Sequence, residues 1–176
     1  MKIMYYISLL RGVNVAGQKK VPMQQLKGLY EKLGLVNVKT YIQSGNVIFE
    51  SNEKDAAKLR VKIERGIKKE FGFDVFVLIR TKDDFEKIIK NNPFKDVEML
   101  YVTLLSDVPK EVPTSEIDKY KNEADKYVVL RDLVYFSCPT GYGKTKLSNN
   151  FFEKKLNVNA TTRNWNTINK LLEMCE

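Results

Sequence analysis

The sequence contains no histidine and only two cysteines. Without an imidazole, every Ser-His, Cys-His or His-metal mechanism is excluded. Cys138 and Cys175 are a single, widely spaced pair and make neither a disulfide framework nor a zinc site. No loop of the D-x-D-x-D-G type is present, so a calcium site of that kind is also excluded. Long apolar runs are missing: a stretch such as residues 75–79 is far too short to span a bilayer. The N-terminal segment is too polar for the apolar region of a signal peptide, and Arg11 closes it early. There is no low-complexity tract to argue for disorder. Together these absences lead to the expectation of a cytoplasmic protein with no membrane segment, no metal and no cofactor.

What is present is an ordinary globular composition of 43% hydrophobic and 30% charged residues in a chain of 176. That length accommodates one domain or two small halves. The net charge is +8, unevenly spread. Basic residues outnumber acidic ones in residues 1–90 and balance them in 91–176, where an acidic stretch (91–137) precedes a basic one (138–172). A basic surface attracts phosphates, nucleic acid or anionic lipid, or is simply a solvated helix face.

Residues 3–10 are apolar and read as a buried strand. A long loop with Gly12, Gly17 and Lys19-Lys20 leads to Pro22, which suits a helix start. Met23, Leu26, Leu29, Tyr30 and Leu33 recur at helical spacing, and Gly34 suits the helix end. Residues 36–42 alternate as a strand, Ser44-Gly45-Asn46 is turn chemistry, and residues 47–49 return. Asn52 is expected to cap a helix with Ala56, Leu59, Ile63, Ile67 and Phe71 inward. Its other faces carry Lys58, Arg60, Lys62, Arg65, Lys68 and Lys69. A strand at 75–80 completes β-α-β-β-α-β, the ferredoxin-like split arrangement, over residues 1–81.

Residues 82–176 are expected to form a second α+β subdomain packed on the first, or to continue it as one domain. Their pattern is a helix at 83–90, a strand at 99–105, a helix at 115–123, a hairpin around Arg131-Asp132 and a helix at 144–156. A last helix follows, capped by Asn164, with Ile168, Leu171, Leu172 and Cys175 inward. This is a βαββα pattern with a C-terminal helix in place of a closing strand, a degenerate duplication of the first half.

Four polar segments carry possible chemistry. Residues 138–145 end in Gly143-Lys144-Thr145, as a P-loop does. Cys138 occupies the position of the first P-loop glycine, where a side chain obstructs the convergence of amides on phosphate. A helix N-terminus there would still offer free amides to an anion. The loop 11–20 is long enough to suspect function, with Arg11, Asn14 and Lys19 as candidate ligand contacts. Gln43, Ser44 and Asn46 stand at a hairpin tip where Gly-Asn alone would suffice for the turn. Thr161-Thr162-Arg163-Asn164-Trp165 combines capping residues with a cation and the one tryptophan. A βαββαβ fold also raises RNA recognition. Residues 5–10 fit that first-strand pattern loosely, but the third strand offers only Phe49 where several aromatics are needed.

Residues 10–17 with 21–23, residues 41–47 and residues 160–167 closely resemble the signatures of a bacterial family known as domain of unknown function 1697. Gly143 with Lys146-Leu147-Ser148 resembles a fourth. Ala16 stands where the family often has glycine. The resemblance implies an α+β fold with a ferredoxin-like first half and no established activity, substrate or cofactor. It marks Arg11, Asn14, Gln43, Ser44, Asn46, Arg163 and Asn164 as signature residues.

Three functions follow as expectations. The first is a binding protein whose glycine loop, hairpin tip and Thr-Thr-Arg-Asn-Trp segment meet in a polar pocket for a small anionic or phosphorylated ligand. Arg11, Gly12, Asn14, Gly17, Lys19, Gln43, Ser44, Asn46, Lys144, Lys146, Arg163 and Asn164 would line it, with the arginines as anion clamps. The second is a nucleic-acid-binding protein using the basic face of helix 53–70. The third is an enzyme with no histidine in its mechanism, for which Tyr41 is the one base candidate in the signature motifs.

Overall fold

The structure is a computed structural model that describes residues 3–176. The chain divides into two compact units, one running to Ile88 and including Lys170–Glu176, the other Ile89–Asn169. In the first unit, β1 (Met4–Leu10), α1 (Met23–Lys32), β2 (Val36–Tyr41), β3 (Asn46–Ser51), α2 (Ala56–Phe71) and β4 (Val77–Thr81) follow the expected order, and α3 (Lys82–Lys90) comes next. The four strands form an antiparallel sheet in the order β2-β3-β1-β4.

The helices lie where the apolar spacing places them. Leu26 and Tyr30 of α1 and Ile63 and Ile67 of α2 are buried against Tyr6, Phe49 and Val77 of the sheet. Burying such a side chain contributes about 1.5–3 kcal/mol. Phe49 stacks on Tyr6 and meets Tyr30 edge-on, both at 5.6 Å between ring centroids, geometries that add to area burial. Tyr30 brings a hydroxyl into this core, bonded to Ser8 Oγ at 2.9 Å, and burial holds its phenol well above its usual range. Pro22 sits at the α1 N-terminus as expected. At α2 the cap is Asp55, not Asn52: Asp55 Oδ1 accepts from the Ala57 and Lys58 amides. Residues 51–55 instead form successive side-chain-to-backbone turns, with Ser51 Oγ accepting from Glu53 and Glu53 Oε1 from Asp55.

The second unit contains β5 (Leu100–Leu105), α4 (Thr114–Asp118), β6 (Lys126–Leu130), β7 (Leu133–Ser137), α5 (Asn149–Leu156) and β8 (Ala160–Asn164), with α6 (Trp165–Glu173) after it. Its sheet is β6-β7-β5-β8, again fully antiparallel. This is the first unit's strand order translated along the chain. The α+β reading with a ferredoxin-like first half therefore stands, and the second half is more complete than its sequence implies. Residues 160–164, read as a helix approach, form the closing strand β8, registered on β5 from Tyr101↔Asn164 to Leu105↔Ala160. Each half runs βαββαβ followed by one helix, so the architecture is duplicated.

The expected helix at 144–156 is shorter. It begins at Asn149 because Ser148 caps it, its Oγ accepting from the Phe151 amide at 3.2 Å. Upstream, Thr145 Oγ1 accepts from Leu147 N–H and donates to Asp125 Oδ2, which binds the segment as a turn. Around α5, Phe136, Phe152 and Tyr101 form an aromatic core with 5.4 Å centroid spacings between Phe136 and each of the others. No helix among the described residues is long and apolar enough to cross a membrane.

Candidate binding surfaces

In the first unit the glycine loop and the hairpin tip come together, held by the signature residues themselves. Asn14 Nδ2 donates to the carbonyl oxygens of Val21 at 2.9 Å and Gln43 at 2.7 Å, and its Oδ1 accepts from Val21 N–H at 2.8 Å. One side chain thus closes the loop on itself and ties it to the tip. Between these anchors the loop is a small hairpin. Gln18 N–H bonds Val15 O, Asn14 N–H bonds Lys19 O, and Ala16 and Gly17 both have positive φ (49° and 75°), which is a type I′ turn. Gly12 also has positive φ, 67°. Lys19 Nζ donates to Asp74 O at 2.8 Å. Arg11 is half-buried, and its amide donates to Phe76 O.

At the tip, Asn46 is fully buried and its Nδ2 donates to Tyr41 O and Ser44 Oγ. Gly45 (φ 76°) presses against the loop: a Cβ there would lie 2.6 Å from Val13 Cγ2 and 2.7 Å from Leu10 Cβ. Its carbonyl accepts from Leu10 N–H at 2.9 Å. Gln43 is exposed and contributes its carbonyl oxygen to the Asn14 bond.

The remaining candidates lie in the second unit. Lys144 and Lys146 are exposed, in a turn and not at the N-terminus of α5, which removes the phosphate-loop geometry. Asn164 is exposed and caps α6 as expected, accepting from Thr167 N–H at 2.8 Å. Arg163 is buried in β8, where its guanidinium donates to Thr161 Oγ1 at 2.7 Å and Thr162 O at 2.9 Å. Burial lowers its pKa to about 10, well below the usual guanidinium range, against the opposing pull of Tyr142. Asn149 links α5 to this strand, donating to Ala160 O and accepting from Thr162 Oγ1.

A surface that the sequence marks only as a basic helix face has more shape than expected. An open groove of about 620 Å³ lies along α2 in the first unit. Leu33, Ala57, Val61 and Gly66 give its apolar lining, and Lys58, Lys62, Arg65 and Lys69 give its charge. These cations recur at i, i+4, i+7 and i+11, a single stripe about 16 Å long at 1.5 Å per residue. Lys32 and Lys68 have carboxylate neighbours in Glu70 and Asp74; the four groove cations have none within 4.0 Å among the described residues. Gly66 brings the helices close, since a Cβ there would meet Leu33 Cδ1 at 3.1 Å and Leu29 Cδ1 at 3.3 Å. The cation spacing was readable in the sequence; the contribution of Leu33 from outside α2 was not.

A second concavity, of about 680 Å³, is lined in the second unit by Asp118, Lys121, Asp125, Lys126 and Tyr127 with apolar neighbours. Its two carboxylates and two lysines offset one another. Tyr127 donates to Asp118 Oδ1 at 2.9 Å, and burial together with that carboxylate raises its phenol to about 12. Among the described residues no group of three or more His, Cys, Asp or Glu side chains could hold a metal ion.

No curated protein matches the chain. Among solved structures it is similar to the conserved bacterial protein SP0830 from Streptococcus pneumoniae, with 23% identity, a TM-score of 0.75 and coverage of 99% of this chain and 100% of that one. At that identity the likeness concerns the fold. The model of the family described as protein of unknown function (DUF1697) matches residues 3–135, which takes in the glycine loop, the hairpin tip and the α2 groove and ends before Arg163. The chain belongs to this family of proteins of unknown function.

Proposed function

We propose that this protein binds an anionic ligand along the outer face of α2. The observation that carries this reading is the groove, where four cations in one stripe lack carboxylate partners. Like charges held that close repel one another, which costs stability unless an anion is bound. The signature polar residues support a different task. Asn14 uses its amide to fasten the loop to the hairpin tip, Asn46 uses its own to brace the tip internally, and Asn164 caps a helix. A small-anion pocket built from them would have to break bonds that maintain the fold, each worth roughly 0.5–1.5 kcal/mol.

The test is binding of fluorescent heparin to the full chain at low and high salt. Affinity is expected to fall steeply with salt and by at least about tenfold in the Lys62→Glu/Arg65→Glu variant, which reverses two of the four charges. Unchanged affinity in that variant contradicts the proposal.

A further inference from the structure

We infer that the occupant of the α2 groove is an acidic amphipathic helix of a partner protein. This rests on the proposal that α2 binds an anion and goes further by naming the partner's chemistry. Charge alone would suit many polyanions, but the space between the cations is apolar. Leu33, Ala57, Val61 and Gly66 line it, and Val61 is 37% exposed in the middle of the stripe. A nucleic-acid backbone has no apolar face to bury there. Unpaired bases would need aromatic planes on which to stack, and no residue lining the groove is aromatic. A membrane surface asks for several large exposed hydrophobes on one helix face, and Val61 is the single large exposed hydrophobe that α2 presents.

A helix with apolar residues at i, i+3, i+4 and i+7 and glutamates on its flanks meets both features together. Its apolar stripe covers Val61 and Leu33, and its carboxylates reach Lys58, Lys62, Arg65 and Lys69 from the rim. The charged stripe of about 16 Å matches three turns of such a helix. Gly66 adds no side chain of its own to the groove, so the Leu33 side chain packs against its backbone and forms the apolar lining at that point. Helix-in-groove recognition by an amphipathic face is a recurrent binding mode.

The experiment measures anisotropy of three labelled probes against the full-length protein. They are a 14-residue Leu/Glu peptide with one apolar face, an isomer with the same residues scrambled so that no face forms, and a single-stranded oligonucleotide of equal charge. The amphipathic peptide is expected to bind at least about tenfold more tightly than the other two, and Val61→Gln to weaken it about tenfold. Val61→Gln keeps the charge and lies at a partly exposed site, and its circular dichroism should match the parent's. The oligonucleotide should be indifferent to that change. Equal affinities for the two peptides, preference for the oligonucleotide, or indifference of the amphipathic peptide to Val61→Gln would overturn the inference. In each of these cases the α2 reading survives if Lys62→Glu/Arg65→Glu abolishes the binding that remains. Failure of all three probes to bind overturns both.

Discussion

Gly45 shows how a residue that reads as turn chemistry can be fixed by packing. Its φ of 76° favours glycine, and the space that a Cβ would need is already held by Val13 and Leu10. Gly17 has nearly the same φ but open space around it. Gly17→Ala is therefore expected to cost about 1 kcal/mol from left-handed strain alone. Gly45→Ala should cost about 3 kcal/mol, because overpacking adds to that strain. Urea unfolding of both variants checks the difference, and equal costs would contradict the close approach. The turn at Ser44-Gly45-Asn46 was legible in the residues. That Asn14 would bond Gln43 across the chain was not, because no local spacing encodes it.

The two thiols are also a residue-scale matter. Cys138 and Cys175 are buried, and burial is the main cause that pushes each from 9.0 to about 11. Both should be inert to a thiol reagent at pH 8 in the folded protein and react on addition of denaturant. Because the folded thiols hold their protons to higher pH than the unfolded ones, their contribution to stability is complete below about pH 9. It is lost as pH rises through about 11. Rapid labelling without denaturant would contradict the burial.

At the scale of elements, the misreadings share one cause. Strand β8 consists of Ala-Thr-Thr-Arg-Asn. It is polar, lies at the sheet edge and is followed directly by a helix whose cap is its own last residue. Its local signals are those of a helix approach; its strand character comes from pairing with β5 and from the Thr103–Thr162 hydroxyl bond at 2.7 Å. Helix α5 is shortened for a related reason, as Thr145 and Ser148 use their hydroxyls on the backbone amides of Leu147 and Phe151. The apolar positions of α1 and α2, by contrast, were legible because a 3.6-residue stripe facing a sheet repeats its signal over several turns. Strand β8 is testable by amide exchange. Those of its amides that face β5 should be protected like their β5 partners, while loop residues 107–112 exchange rapidly. Uniformly fast exchange across 160–164 would return that segment to a loop.

At the scale of the whole molecule, the sequence shows an uneven charge and a half-hidden duplication, and the structure gives each a form. The duplication is complete in strand order and in the helix that follows each sheet. It was obscured because a fold conserves pairing and burial more than residue identity. The basic surplus of residues 1–90 resolves into a groove with an apolar centre, where the sequence alone could offer only a helix face. The most direct measurement is an amide chemical-shift titration of the full chain with heparin. The largest changes are expected at residues 57–69 and at Leu33, with the loop 11–19 and the tip 43–46 left in place. Changes centred on that loop and tip, with α2 silent, would contradict the account.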